Sequence, residues 1–453
     1  TYMKKNVLIL MTMILCLPLF AEQKAEKKDA PVKEHLQNHF KFYGFIRNYF
    51  VFDSRDSKAG TADLFYYMPL DNKWNTSNVN NPAREDLNAS PNFRFLALTS
   101  RVGVDVGGYF VKNVHFGAKV EADFYSGLSK LSTNTGFSGN TNISGTAAMR
   151  LRQAYATVTW KDLGLKIGQA WHPMAADMPH VFSLEAGAPF GPFSRTPQVT
   201  MDAALGNNWV VSAAAIWQMQ YQSTGPIGGS ALYMKYGKTP EMYAALAYKS
   251  KGFLLRAGVD MVSIKPRVLG QLDGNTVKVS DRKTSVLGYV FTQYSYKKFA
   301  VKAKTTFGEG GEHMNLMSGY AKVGADNADG SWNYASLRNS SSWLSMSYGK
   351  KWQGVLFLGY VKNLGLAEAA SAPLAKADVY FCGNGFSNIN QMYRINPQII
   401  YNIGKLNVGL EYQLTNVQYG EYDGGKLNEY GLATKNLHWV CNHRVNMMVK
   451  YNF

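Results

Sequence analysis

From Phe40 onward the chain is built of segments in which apolar and polar positions alternate. In Val114–Ser126, Phe116, Ala118, Val120, Ala122 and Phe124 share one parity, and Lys119, Glu121 and Asp123 the other. A β-strand points successive side chains to opposite faces, so this predicts a strand with one apolar and one charged face. The last sixteen residues, His438 to Phe453, repeat the pattern. Trp439, Cys441, His443, Val445, Met447, Val449, Tyr451 and Phe453 fall on one parity, and Asn442, Arg444, Asn446, Lys450 and Asn452 on the other. Rings at both ends of the apolar face with aliphatics between them suit a strand that crosses a bilayer.

The same rhythm predicts strands over 40–53, 93–111, 114–126, 148–160, 164–171, 208–222, 230–236 and 241–249. It continues over 253–265, 283–296, 299–308, 333–348, 353–363, 389–402, 405–418 and 438–453. Short connections such as Lys112-Asn113, Lys161-Asp162, Lys297-Lys298 and Lys350-Lys351 alternate with long ones, of which 54–92 and 172–207 stand out. An even count of about sixteen strands, with short turns at one end and long loops at the other, predicts an all-β, transmembrane antiparallel barrel over 40–453, with short periplasmic turns and long extracellular loops. A soluble many-stranded protein such as a propeller would show a blade-length repeat, and none is visible.

Composition changes this picture in two ways. Aromatic residues make up 13% and charged residues only 17%, with 42 glycines, which is β-sheet chemistry. A mean hydropathy of −0.22 would ordinarily mean a soluble chain, but the polar inner face of a barrel dilutes the average. Lys4 and Lys5 precede an apolar run from Val7 to Phe20, and Ala21 offers a cleavage position, so residues 1–21 read as a secretory signal. Residues 22–39 read as a short periplasmic lead-in. Cys16 lacks the small residues expected before a lipidated cysteine, which leaves Cys382 and Cys441 in the exported chain. Both fall near the extracellular rim, where a disulfide between them is permitted and therefore a candidate. The formal charge is +17, its basic residues scattered singly rather than clustered, which argues against nucleic acid and for an anion-attracting lumen.

Three runs resemble the DcaP-like porins and their relatives in Bacteroidota: Arg152-Gln153-Ala154-Tyr155, Gly168-Gln169-Ala170-Trp171 and Arg195-Thr196-Pro197-Gln198. Gly44-Phe45-Ile46-Arg47 followed by Asp53-Ser54-Arg55 is similar to that group's first strand. The resemblance covers roughly the first half of the chain. It implies an outer-membrane homotrimer in a Gram-negative bacterium, sixteen strands per subunit, and passive diffusion of small, often anionic, solutes. Lipid and lipopolysaccharide would surround it.

A barrel of this width leaves an aqueous channel, governed by its narrowest point. The segment 172–207 holds Pro173, Pro179, Pro189, Pro192 and Pro197, and is the candidate inward constriction. Strand parity nominates Arg47, Lys119, Glu121, Asp123, Arg256, Asp260, Lys302, Lys304, Glu411 and Arg444 for the pore lining; Arg94, Arg101, Arg150 and Arg152 sit on neighbouring strands, and Arg195 of the inward segment is a further candidate. Arg94, Arg101, Arg150 and Arg152 form a candidate basic ladder facing Glu121 and Asp123, a charge separation that would set up a transverse field. Tyr289, Phe291, Trp217 and Tyr221 would stack sugars if they faced the lumen. His172, Asp177 and His180 match no common metal-site spacing, so no metal or other cofactor is expected. No Ser and His stand in a recognisable catalytic relation, so no enzyme is expected. A substrate-selective channel, a surface adhesin and a barrel hydrolase are the alternatives.

Overall fold

In the computed structural model, residues 39–59, 66–75, 85–97, 99–126, 130–132, 138–140, 147–382 and 387–453 are described. The expected signal 1–21, and the lead-in apart from His39, lie outside the described residues. The wall is a closed antiparallel barrel of sixteen strands. We label them β1 (Phe40–Asp53), β2 (Asn92–Leu96 continued by Arg101–Val111), β3 (Val114–Ser126), β4 (Ala147–Trp160), β5 (Leu163–Trp171), β6 (Arg195–Leu205), β7 (Trp209–Ile216) and β8 (Glu241–Ser250). The second half contributes β9 (Phe253–Ile264), β10 (Lys283–Tyr296), β11 (Phe299–Glu309), β12 (Asn333–Gly349), β13 (Trp352–Leu366), β14 (Ile389–Ile403), β15 (Leu406–Glu421) and β16 (Lys435–Asn452).

Each strand pairs with its sequence neighbours, and β1 pairs with β16 from Phe45↔Asn452 to Asp53↔Arg444. The seam ends in two reciprocal bonds: Phe453 N–H to the Gly44 carbonyl at 3.0 Å and Gly44 N–H to the Phe453 carbonyl at 3.3 Å. Closure removes the unpaired edge that no open sheet could expose to hydrocarbon.

The outward parity is apolar. Leu246, Val259, Val290, Ile399 and Leu410 are exposed in mid-wall. Phe110, Trp160, Trp209, Tyr296, Tyr348, Trp352 and Tyr451 are exposed toward the short-turn end, as an interfacial girdle requires. Inward parity is polar and largely buried: Arg394, Asn396, Gln398, Glu411, Gln413, Asn442, Arg444 and Asn446. Among the described residues no helix is long and apolar enough to cross a membrane. The short turns are tight enough that Lys112, Lys161 and Lys297 take left-handed backbone angles, φ 53°, 50° and 53°.

Two segments differ from the sequence expectation, and the differences cancel in the strand count. Arg195–Leu205 is a full wall strand, bonded to β5 from Leu163↔Ala203 to Trp171↔Arg195 and to β7 on its other side. The excursion expected over 172–207 therefore closes at 194. Pro197 masked the strand, because proline cannot donate to a ladder. Conversely, 230–236 is not a strand. Leu232–Gly237 forms a short helix whose Tyr233 and Met234 pack on Val262, Ile264 and Tyr320. Nor is the candidate disulfide formed. Cys382 is buried in a small sheet above the wall, where its N–H meets the Ser318 carbonyl at 2.9 Å. Cys441 lies on β16, beside Asn416 of β15 and within 3.5 Å of His443.

The seam depends on Gly44. A Cβ there would stand 2.5 Å from both the Phe453 ring and the Arg101 carbonyl. Gly44→Val is expected to destabilise the closed barrel by about 1–3 kcal/mol through overpacking. Urea titration followed by heat-modifiable gel mobility measures it.

Candidate pore constriction

Residues 172–194 leave the wall at the end of β5, cross the interior and return to β6. Their contacts run round the inner face. The Lys304 ammonium of β11 donates to the carbonyls of Met174 at 2.5 Å and Asp177 at 3.1 Å. Lys302 donates to the Met178 carbonyl at 3.1 Å. Arg256 of β9 ion-pairs with Asp177. His180 N–H reaches Ser345 Oγ and its ring Nδ1 lies against Ser347 Oγ, both at 3.0 Å. Tyr49 of β1 donates to the Phe182 carbonyl.

Glu185 then reaches the seam. Its Oε1 accepts from Gln413 at 2.9 Å and from Arg444 at 3.1 Å, with Arg394 at 3.6 Å. Arg394 also donates to the Ala188 carbonyl at 3.1 Å. Arg444 passes on to Asp53 at 2.8 Å, and Asp53 also holds Arg94. One carboxylate on the inward segment is thus joined to the first and last strands. Buried charge is tolerated here because each group is paired.

Aromatic side chains of the same segment sit on wall glycines. Phe190 covers Gly359 and meets Phe357 edge-on, with ring centroids 6.0 Å apart. Phe182 covers Gly409, where a Cβ would come within 2.9 Å of its ring. Gly191 in turn leaves room for the Trp343 indole. Met174, Phe190, Phe193, Trp343, Phe291 and Phe357 belong to one buried apolar cluster. The barrel therefore contains a packed core on its inner side, and burial of each large side chain contributes on the order of 1.5–3 kcal/mol. Tyr289 and Phe291 do face inward, but they lie under this segment, 4% and 1% exposed, where no sugar can stack.

The other part of the inner wall, on β1–β6, is basic. Arg152 donates to Glu121 at 2.9 Å and Asp123 at 2.6 Å. Arg150 pairs with Asp123 at 2.9 Å, and Arg101 approaches Glu121 at 3.4 Å. Arg195 lies over the Trp171 ring at 4.8 Å and Arg47 over Phe45 at 4.8 Å. Lys119 bonds Asp105 at 2.8 Å. The arginines and the two carboxylates thus occupy neighbouring strands and pair directly, so they are not the opposed walls that a transverse field requires. Arg47, Arg101, Arg150, Arg152 and Arg195 surround Glu121 and Asp123, so positive charge is in excess. Arg101 and Arg150 keep about a fifth of their side-chain surface open, 21% and 19%.

The twelve candidate pore residues fall on the inward parity of the wall strands, in two groups. Arg256, Lys302 and Arg444 hold the inward segment. Arg47, Arg101, Lys119, Glu121, Asp123, Arg150, Arg152 and Arg195 form the basic surface, and Arg94 links the two through Asp53. Glu185 and Arg394 were missed. Arg394 was legible, since it shares parity with Met392, Asn396 and Gln398. Glu185, a lone acid in an aperiodic stretch, gave no signal. His172, Asp177 and His180 do not form a group, since Asp177 is taken by Arg256 and His180 by Ser347.

A closed sixteen-stranded wall with a segment folded into its lumen defines the porin class of fold. Solved structures agree. The outer membrane channel DcaP of Acinetobacter baumannii superposes with a TM-score of 0.57 over 91% of this chain and 97% of that one, at 16% identity. The anion-selective porin of Comamonas acidovorans gives 0.52 over 91% and 99%, at 9% identity. No family model and no curated protein sequence matches the chain.

Two outcomes follow from the packing. Gly359→Val is expected to lift Phe190 off the wall, costing about 1–3 kcal/mol and raising single-channel conductance; unchanged conductance in a folded variant would show that the segment does not limit flow. Burial, with Lys302 nearby, pushes the His180 imidazole down to about 4. A released histidine takes up its proton near about 6.5. The seated state is therefore fully favoured above about pH 6.5 and loses stability as pH falls from there toward 4. Current fluctuations should increase over that window in planar bilayers, and His180→Gln should flatten the change.

Proposed function

We propose that the chain is an outer-membrane porin: a water-filled channel for passive diffusion of small hydrophilic, preferentially anionic solutes. It would act as a homotrimer in the outer membrane of a Gram-negative bacterium, related to the DcaP-like porins and their Bacteroidota relatives. The observation that carries the reading is the excess of arginines over carboxylates on β1–β6, beside a segment that narrows the lumen. Fixed positive charge along a confined aqueous path raises the local anion concentration and lowers the barrier to anion entry. The exposed edges of Arg101 and Arg150 give a passing carboxylate or phosphate a planar donor fork while Asp123 and Glu121 hold the arginines in place. The formal charge of +17 works in the same direction. The Comamonas porin of the same fold is anion-selective, which agrees with this reading. Diffusion through such a lining needs no catalytic group.

Planar-bilayer recording tests it. Purified folded protein is expected to insert in steps that close in threes, with a reversal potential favouring anions under a salt gradient. Arg101→Gln and Arg150→Gln should each reduce anion preference without loss of heat-modifiable mobility, more at low salt, where screening is weak. Folded protein that conducts nothing, or prefers cations, would overturn the proposal.

A further inference from the structure

Four buried side chains from four segments converge where the inward segment leaves the wall. His172 follows β5, Glu241 opens β8, Asp260 lies on β9, and His313 belongs to the turn Glu312–Met314 after β11. One nitrogen or oxygen atom from each lies within 4.8 Å of all the others. None is more than 2% exposed. Glu241 Oε1 lies 2.6 Å from His172 Nε2 and 3.0 Å from His313 Nε2. Asp260 stands 3.8 and 3.9 Å from the same two nitrogens.

Two features set this cluster apart from a satisfied polar network. Glu241 Oε2, Asp260 Oδ1 and His313 Nδ1 are buried with no hydrogen-bond partner, as are both carboxylate oxygens of the adjacent Glu312. Carboxylates also crowd together here. Glu241, Asp260 and Glu312 share one buried place with His172, His313 and Lys283, whose Nζ donates to Ser285 Oγ at 3.2 Å. Buried carboxylates are costly unless positive charge or hydrogen bonds compensate them.

We propose that this cluster is a site for a divalent transition-metal ion, zinc by its chemistry, with Glu241, Asp260 and His313 as ligands. Two carboxylate oxygens and one imidazole nitrogen form a mixed O/N set suited to zinc, and water completes the shell. His172 is a positioning residue. The Met174 N–H donates to its Nδ1 at 3.1 Å, so the ring proton sits on Nε2 and points at Glu241. It orients a ligand rather than binding the ion, as outer-shell partners do. His313 is different: its Nε2 lies 3.0 Å from Glu241 Oε1 as a hydrogen-bond donor, and the ion takes the place of that proton, which leaves to solvent. The ion adds positive charge where the carboxylates crowd, and joins two wall strands to the loop after β11, with His172 at the base of the inward segment bonded to the ligand Glu241.

Chelator-treated, folded full-length protein titrated with zinc by calorimetry, alongside elemental analysis, tests the site. One equivalent per chain is expected, with a higher unfolding temperature when zinc is bound. Glu241→Gln and Asp260→Asn should abolish saturable binding, and His172→Gln should weaken it about 10–100-fold. Where a variant fails to fold, cobalt(II) added to the wild type decides: an intense visible d–d band displaced by zinc supports the site. Absence of stoichiometric binding by folded wild type, or binding untouched in folded Glu241→Gln, overturns it.

Discussion

Backbone pairing in hydrocarbon is the constraint from which the rest follows. A peptide group facing lipid has no water to bond, so a sheet that crosses the bilayer must close on itself. Here closure falls to β1 and β16, and the register from Phe45↔Asn452 to Asp53↔Arg444 fixes more than the wall. It sets Arg444 beside Asp53, and the pair presents a guanidinium to Glu185. The seam and the seating of the inward segment are therefore coupled through one chain of ion pairs.

Closure also explains why the interior divides into two kinds of surface. On β8–β15 the inner wall has glycines opposite Phe182 and Phe190, and the buried Lys304 and half-buried Lys302 satisfy loop carbonyls. That side behaves like the interior of a soluble protein. On β1–β6 the inner wall carries arginines held by Glu121 and Asp123 but not neutralised by them. The apolar side fixes where the segment lies, and the basic side faces what remains.

Much of this was legible because a barrel strand has a strict period of two. Parity alone put Arg47, Lys119, Glu121, Asp123, Arg256 and Arg444 on one side of the wall. What parity cannot give is depth or partner. It could not say that Arg256 would hold Asp177 of the inward segment while Arg150 paired with Asp123 of the neighbouring strand, since both alternate correctly. Local chemistry misled in two places. Pro197 made β6 look like loop, although β5 and β7 pair with it on both sides. Residues 230–236 alternated well enough to look like strand, but Tyr233 and Met234 gain more by packing on Val262 and Ile264 as a helical turn. The gathering of His172, Glu241, Asp260 and His313 was invisible, because it spans two wall strands, two loops and a register that no spacing encodes.

The inward segment starts and ends on adjacent strands, β5 and β6, which are bonded to one another directly. In topological terms it is a flap hinged on one edge: it can swing out and return without opening a single wall hydrogen bond. What keeps it in place is side-chain chemistry together with the Phe193 N–H bond to the Met314 carbonyl at 2.8 Å, none of which belongs to the ladder that holds the barrel.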